Sequence, residues 1–322
     1  MERIRLGRTG VEVPAIGFGT WSHGGPGESD GEAVGWSGHD DERSRSALLR
    51  GWELGLTHWD TADVYGDGHA EELIGSLWDR VPRDDVFLAS KVGWDRGGYD
   101  HYYHPRLIEK NFERSLRLLA TDRIDLYHLH HCDFGPDDRH LDGALELLHR
   151  WRDQGKIRFI GLSDWDSAEV ARLAPRVDPD VVQPYRNLVD DTYASSGLQD
   201  WVEAHDAGVC FFSPLKHGLL LGKYDKTLDF PPGDFRSRIP EFGDPEALAR
   251  FRAAAADARR RFAGHPEPVL HAVVDSLLTG CANASALLGQ RGPRQVEAAA
   301  SLGEALSPED AAWVRERYTA GG

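Results

Sequence analysis

An acid, a phenol, an amine and an imidazole close three successive apolar runs. Asp60 and Tyr65 lie in LTHWDTADVYG, Lys91 ends DVFLASK and His130 ends RIDLYHLH. Held together, they form a proton-donating site. A phenol near pKa ~10 gives up its proton reluctantly at neutral pH, so it needs help. A Lys91 ammonium beside Tyr65 is expected to favour the phenolate and lower that pKa. Asp60 would hold Lys91 charged and aimed, and a neutral His130 would hydrogen-bond a carbonyl oxygen and set its angle. The matching reaction is carbonyl reduction, with hydride delivered to carbon and a proton to oxygen. Singly, each residue has a plainer explanation: Asp60 as a turn former, Tyr65 as packing, Lys91 as a solvated head, His130 as a core histidine. The functional reading needs all four at the same end of one fold.

Such a fold is written along the chain. Short strands alternate with amphipathic segments in eight units, with strands in AIGFGT, LTHWDT, DVFLASK, RIDLYHLH, IRFIGLS, DVVQP, VCFFSPL and ASALLG. Strand-then-helix alternation implies parallel strands with crossover helices, and eight units predict a closed (β/α)8 TIM barrel of α/β class. The start, MERIRLGRTGVEVP, reads as a hairpin around Gly7–Gly10 that plugs the barrel's bottom. Residues 22–41 and 222–246 are long loops after strand C-termini, expected to act as lids. Residues 1–322 read as one domain.

The bulk numbers agree with a soluble globular enzyme or binding protein. The 322 residues are 40% hydrophobic and 28% charged, with a net charge of −16. A negative field disfavours nucleic acid and anionic membranes, so any phosphate must be met by a local positive pocket. No apolar run reaches membrane-span length and the start has no signal-peptide core, which makes the cytoplasm the expected location. Cys132, Cys210 and Cys281 are far apart and read as reduced thiols.

The second half reads as a nucleotide cradle. Ser163, Asp164 and Gln183 end strands and can hydrogen-bond a carboxamide. SPLKHGLL follows the seventh strand, and GQRGPRQVE follows the eighth and opens a helix. These loops are the usual phosphate site of a barrel. Arg291 is placed to meet phosphate, with Lys216 or Arg294 as helpers. A different class shares one feature: His128-x-His130 puts two imidazoles on one strand face, as in metal-dependent barrel hydrolases. The later strand ends here are Ser163, Gln183, Ser213 and Gly289, with Asp164 the nearby carboxylate. They offer few metal ligands, and no metal is expected.

With these residues assembled, the chain resembles the aldo-keto reductase superfamily over nearly its full length. The resemblance rests on LGRTGVEVPAIGFGTW, DTADVYGDGHAEELIG, SKVG, DRIDLYHLH, IRFIGLS, SPL with GLLLGKY, and G-x-R before P-x-Q-V-E, in that order. It implies NADP(H), or less often NAD(H), as cofactor, and a small aldehyde, ketone or sugar-like carbonyl as substrate. It also implies Tyr65 as proton donor, Lys91 and Asp60 as its tuners, and His130 as the substrate-orienting group. Gly19, Thr20 and Trp21 would line the nicotinamide end. Ser163 and Gln183 look like carboxamide contacts, Ser213, Leu215 and Gly218 like the pyrophosphate belt, and Arg291 and Gln295 like the adenosine-phosphate end. Several positions depart from the pattern: Asp164 stands where Asn is usual, Arg186 where an aromatic is expected to stack on the nicotinamide, Ala298 and Ala299 replace a Glu-Asn pair, and His131 replaces Trp. Either Arg186 stacks by its guanidinium plane or Tyr185 is re-aimed. Trp21, Trp94, His131 and Arg186 are the expected substrate-pocket residues. Two other functions compete: an NADP(H)-binding regulatory module with vestigial turnover, and the metal-dependent hydrolase.

Overall fold

The computed structural model describes residues 2–29 and 31–320. A hairpin of β1 (Arg3–Arg5) and β2 (Glu12–Pro14) precedes β3 (Ile16–Gly19), the first barrel strand. The first long loop carries β4 (Glu28–Ser29) and β5 (Glu32–Ala33), then helix α1 (Asp41–Glu53). Next come β6 (His58–Asp60) and α2 (His69–Gly75), β7 (Phe87–Val92) and α3 (Pro105–Leu118), and β8 (Ile124–Leu129) and α4 (Leu141–Asp153). They are followed by β9 (Ile157–Asp164) and α5 (Ser167–Val177), then β10 (Val181–Pro184) and α6 (Leu198–His205). β11 (Gly208–Phe211) leads into the second long loop, α7 (Pro245–Arg261), α8 (Pro268–Leu270) and α9 (Ser276–Leu278). β12 (Ala284–Gly289), α10 (Pro293–Ala299) and α11 (Pro308–Thr319) end the chain.

Strands β3 and β6 to β12 close into a parallel barrel in sequence order, with β12 returning to β3 through the pair Gly289 and Gly19. The expected α/β barrel is present. Alternation along each strand decides what faces where. In β7, Leu88 and Val92 join the core between strands and helices, while Phe87 and Ala89 face a second core inside the barrel. The same parity carries Lys91 inward. In β8, Tyr127 and Leu129 pack outward and Leu126 inward, so His128 and His130 share the inner face.

The hairpin closes the bottom as expected. Leu6 and Val13 are fully buried and pack on Phe87, Ala89, Leu126 and Val181. Gly7 (φ +50°) makes this approach feasible, because a Cβ there would lie 2.3 Å from the Ala207 carbonyl carbon. Helix α2 stops at Gly75, and turns carry the chain on through residue 80.

The two long loops are joined. Gly27 and Gly35 both donate backbone hydrogen bonds to Gly233 (3.2 Å each), and Phe235 donates to Gly35 (2.9 Å). The buried Asp234 carboxylate accepts from Ser37 N (2.9 Å), Ser37 Oγ (2.6 Å) and the Arg236 guanidinium (2.6 Å). Gly35 is required, since a Cβ would sit 2.2 Å from Gly27 N. No helix among the described residues is long and apolar enough to cross a membrane.

Candidate active site

β6, β7 and β8 end side by side, and this adjacency assembles the four residues singled out from the sequence. Lys91 is buried, and its Nζ donates to Asp60 Oδ1 (2.6 Å) and to the Thr61 carbonyl (2.6 Å). It also reaches the Tyr65 hydroxyl at 3.4 Å. The other Asp60 oxygen accepts from Gln183 Nε2 across the barrel (2.8 Å). Thr20 Oγ1 donates to the Asp60 carbonyl (3.0 Å), fixing the backbone of that strand end. The Tyr65 ring meets His130 edge-on, with centroids 5.8 Å apart and planes at 74°.

The charges follow from burial. Burial pushes the Tyr65 phenol above its ordinary value, and the pull of Lys91 only limits the rise. This corrects the expectation of a net lowered phenol. The sequence names the cation but not the depth of burial. A raised value keeps Tyr65 protonated at neutral pH, with a proton to give. Burial works against the Lys91 ammonium, yet Asp60 and Tyr65 together hold its pKa above the ordinary lysine value. For His130, burial and the Lys91 charge push the pKa well below 6.5, so the imidazole is neutral.

These groups open onto a cavity of about 580 Å³. Gly19, Trp21, Asp60, Ser163, Gln183, Ser213, Leu215, Gly218, Arg291 and Gln295 all line it, as do Tyr65, His130 and Trp94. Backbone in the left-handed region at Ser213 (φ 56°), Lys216 (φ 44°) and His217 (φ 58°) marks the turn after β11 as strained, a feature that gathers at ligand sites.

Other expected residues are placed elsewhere. Thr20 serves the Asp60 backbone and does not line the cavity. Asp164 turns its carboxylate onto the backbone N–H groups of Cys132 (2.6 Å) and Asp166 (2.8 Å). Arg186 is buried away from the cavity. It forms a paired contact with Asp191 (2.9 and 3.1 Å), and its guanidinium lies against Tyr193 and Phe211. Tyr185 is outside the lining as well, its hydroxyl directed to Asp190 (3.3 Å). His131 accepts from Asp133 N (3.1 Å) at Nδ1 and donates to the Gly93 carbonyl from Nε2, so both nitrogens are spent. Lys216 is neutralised by Asp190 (2.5 Å) and Glu241 (3.1 Å), and Arg294 is exposed outside the lining.

Sequence reasoning missed the aromatic wall. Phe212, Trp36, Trp165, Tyr102, Tyr224 and Phe235 line the cavity. Trp165 lies 4.9 Å from Phe212 and stacks on Phe235 at 5.4 Å. Phe212 had a signal: it immediately precedes Ser213, at the point where β11 meets the cavity. Trp36 and Phe235 had none, because they arrive from the two joined loops.

The far end is electropositive in an otherwise acidic protein. Arg291 donates to the Ser37 carbonyl (2.9 Å) and to the Gly38 carbonyl, and Gln295 Oε1 accepts from Arg291 N (2.8 Å). Burial, with Arg236 and Arg43 nearby, depresses the Arg291 pKa, and only Asp234 acts against them. A crowded guanidinium held by carbonyls suits an anion such as phosphate. Among the described residues, no group of three or more His, Cys, Asp or Glu side chains is arranged to hold a metal ion.

Comparison with known proteins shows what the whole chain is similar to. The Aldo/keto reductase family matches residues 15–318. Aldo-keto reductase YhdN of Bacillus subtilis is 30% identical over 319 residues, covering 96% of this chain and 91% of the relative. The structure of a glycerol dehydrogenase from Gluconobacter oxydans superposes with a TM-score of 0.78 at 27% identity, over 98% of this chain and 94% of that one. An aldo-keto reductase from Klebsiella pneumoniae in complex with NADPH gives 0.71 at 26% identity, over 99% and 95%.

Proposed function

The chain belongs to the aldo/keto reductase family, and we propose that it moves a hydride between NADP(H) and an aldehyde, ketone or sugar-like carbonyl with Tyr65 as general acid. It is an NADP-dependent enzyme of the aldo-keto reductase type. The observation that carries the assignment of Tyr65 is the buried Lys91 ammonium, bonded to Asp60 at 2.6 Å and reaching the Tyr65 hydroxyl at 3.4 Å.

The cavity fits the cofactor. Gln183 and Ser163 offer amide and hydroxyl groups near the four central residues, and Arg291 offers an unneutralised cation at the other end. When bound, NADPH supplies the hydride that reduces the carbonyl carbon. Tyr65 gives its hydroxyl proton to the carbonyl oxygen. Lys91 stabilises the phenolate left behind, and Asp60 keeps Lys91 charged and pointed. Neutral His130 donates a hydrogen bond to the same carbonyl oxygen and holds it toward Tyr65. The aromatic wall and the joined loops limit water around the reacting carbon.

The substrate class follows from that wall. Flat aromatic faces accept rings, and sugar-like carbonyls stack on them as well. The test is loss of NADPH absorbance across a panel of aromatic aldehydes, ketones and ketosugars, with Tyr65→Phe beside the wild type. Tyr65→Phe should cost about 100- to 10,000-fold in reduction while leaving NADPH binding within about twofold. Equal turnover by the two proteins would remove Tyr65 from the role.

A further inference from the structure

Tyr65 stands on the turn between β6 and α2, and that turn is strained. Gly66 (φ +65°), Asp67 (φ +53°) and Gly68 (φ +91°) follow one another in the left-handed region. Such a run persists only where the surroundings over-determine it. The turn's own hydrogen bonds are local: Tyr65 N donates to the Ala62 carbonyl and Asp67 N to the Val64 carbonyl, 3.2 Å each. They shape the turn without placing it against its neighbours.

Two side chains outside the cavity supply the placement. The first is Glu71, in the first turn of α2. Its Oε1 accepts from Ser90 Oγ (2.6 Å), and both residues are fully buried. Ser90 immediately precedes Lys91, so this bond ties the start of α2 to the strand that carries the ammonium. The second is Arg114. Helix α3 buries Leu107, Ile108, Asn111, Phe112, Ser115 and Leu116, which leaves Arg114 at the edge of that face. Gly68 lets α3 come close, since a Cβ there would lie 2.4 Å from Leu118 Cδ1. Arg114 Nη2 donates to the Asp63 carbonyl (2.9 Å) and Nη1 donates to Asp67 Oδ1 (2.7 Å). One guanidinium therefore grips the chain on both sides of Tyr65. Burial works against the Arg114 charge, but Asp67, Asp63 and Glu71 hold its pKa above the ordinary arginine value, so the guanidinium stays charged.

The spacing of the reacting groups shows what this grip controls. Lys91 is fixed by short bonds to Asp60 and the Thr61 carbonyl (2.6 Å each), whereas its reach to the Tyr65 hydroxyl is 3.4 Å. The ammonium is set by its strand, and the phenol is set by the turn. We propose that Arg114 is a positioning residue for Tyr65: it spans Asp63 and Asp67 and so holds the phenol in place beside Lys91 and His130. The proposal rests on the assignment of Tyr65 as proton donor. Arg114 does not line the cavity, so it acts through the turn rather than on a ligand. Its two acceptors are met by different nitrogens of one rigid plane, which fixes their separation as a flexible lysine head could not.

The test is steady-state reduction of 4-nitrobenzaldehyde by Arg114→Ala and Asp67→Gly. NADPH affinity by fluorescence titration and melting temperature are taken on the same preparations. Arg114→Ala should lower kcat about 10- to 100-fold, the scale for a displaced reacting group. KM and NADPH affinity should stay within about twofold of wild type. Guanidinium ion, below denaturing concentrations, should raise the kcat of Arg114→Ala several-fold and leave wild type unchanged. Asp67→Gly cuts one arm of the grip and leaves the buried charges alone, and glycine suits the φ of +53° at that position. It should lower kcat about two- to fivefold with the same split from KM. A folded Arg114→Ala with wild-type kcat overturns the proposal, as does a kcat loss matched by an equal loss of NADPH affinity. If Arg114→Ala does not fold, Asp67→Gly decides by the same two criteria. The donor assignment fails separately: Tyr65→Phe with wild-type turnover would overturn it whatever Arg114 does.

Discussion

On the β6–β8 side of the cavity, the groups that would do chemistry are already tied to one another: Lys91 to Asp60 and Thr61, Asp60 to Gln183, and His130 against Tyr65. On the β9–β12 side, the residues expected to hold a nucleotide are tied to other things or to nothing. Arg291 holds the carbonyls of Ser37 and Gly38, Asp164 caps two backbone N–H groups, and Arg186 is buried in an ion pair elsewhere. The first side is made by strand ends and the second mostly by loops. A strand end fixes a side chain's direction by parity; a loop leaves direction to its partners. On the proposed reading, the catalytic side is thus built before any ligand arrives, whereas Arg291 would have to exchange carbonyls for an anion.

The sharpest way to break this contrast is at Lys91. Lys91→Met should lower reduction by about 100-fold or more, because the phenolate left by proton transfer loses its neighbouring cation. The sign in pH also follows. With Tyr65 as the proposed donor, reduction needs the protonated phenol, so it should persist through neutrality and fall as pH rises through the Tyr65 pKa, which lies above its ordinary value. Removing Lys91 removes a downward pull, so the alkaline limit should move still higher while the plateau drops. A pH–rate profile of wild type and variant checks both. An alkaline limit that moves down would mean that Lys91 does not act on Tyr65. Melting temperature must be recorded alongside, because the substitution leaves Asp60 buried without its cation.

Arg291 probes the opposite side with a smaller effect. Arg291→Ala should weaken NADPH binding by about tenfold or more, the usual scale for losing a charge-assisted contact. NADH lacks the extra phosphate and should lose only about threefold, through loosening of the Ser37–Gly38 backbone that Arg291 now holds. Fluorescence titration with each cofactor gives the ratio. Equal losses would make Arg291 a loop anchor and nothing more.

These two residues also mark how far the sequence can be read. Lys91 was legible because it closes an apolar run, as Asp60 and His130 close the runs before and after it. Strand-then-helix alternation put those three ends at one face of the barrel. The barrel was legible for the same reason, repeated along the chain. Arg186 was not. Its direction is set by Asp191, Tyr193, Phe211 and the Leu277 carbonyl, which approach from separate parts of the fold. His131 follows Trp94's loop for a similar reason, with Gly93 and Asp133 fixing its tautomer. The direction of the Tyr65 shift was misread because it is a contest between burial and a named charge, and only the charge is visible in the sequence.

Asp164 carries the smallest expected effect and discriminates most finely. Its two oxygens satisfy two backbone donors, Cys132 N at 2.6 Å and Asp166 N at 2.8 Å, which fixes the bend between β9 and α5. Asp164→Asn keeps one acceptor and sets an amide N–H₂ against the other donor. The protein should lose about 0.5–1.5 kcal/mol of stability, the net value of one hydrogen bond. Because the side chain faces away from the cavity, the NADPH dissociation constant should change by less than about threefold. Thermal unfolding and cofactor titration on the same preparation separate the two quantities. A tenfold gain in NADPH affinity with no loss of stability would reverse the reading. It would mean that the carboxylate turns toward the cofactor when the cofactor binds, and that the loop-built side rearranges further than the release of Arg291 requires.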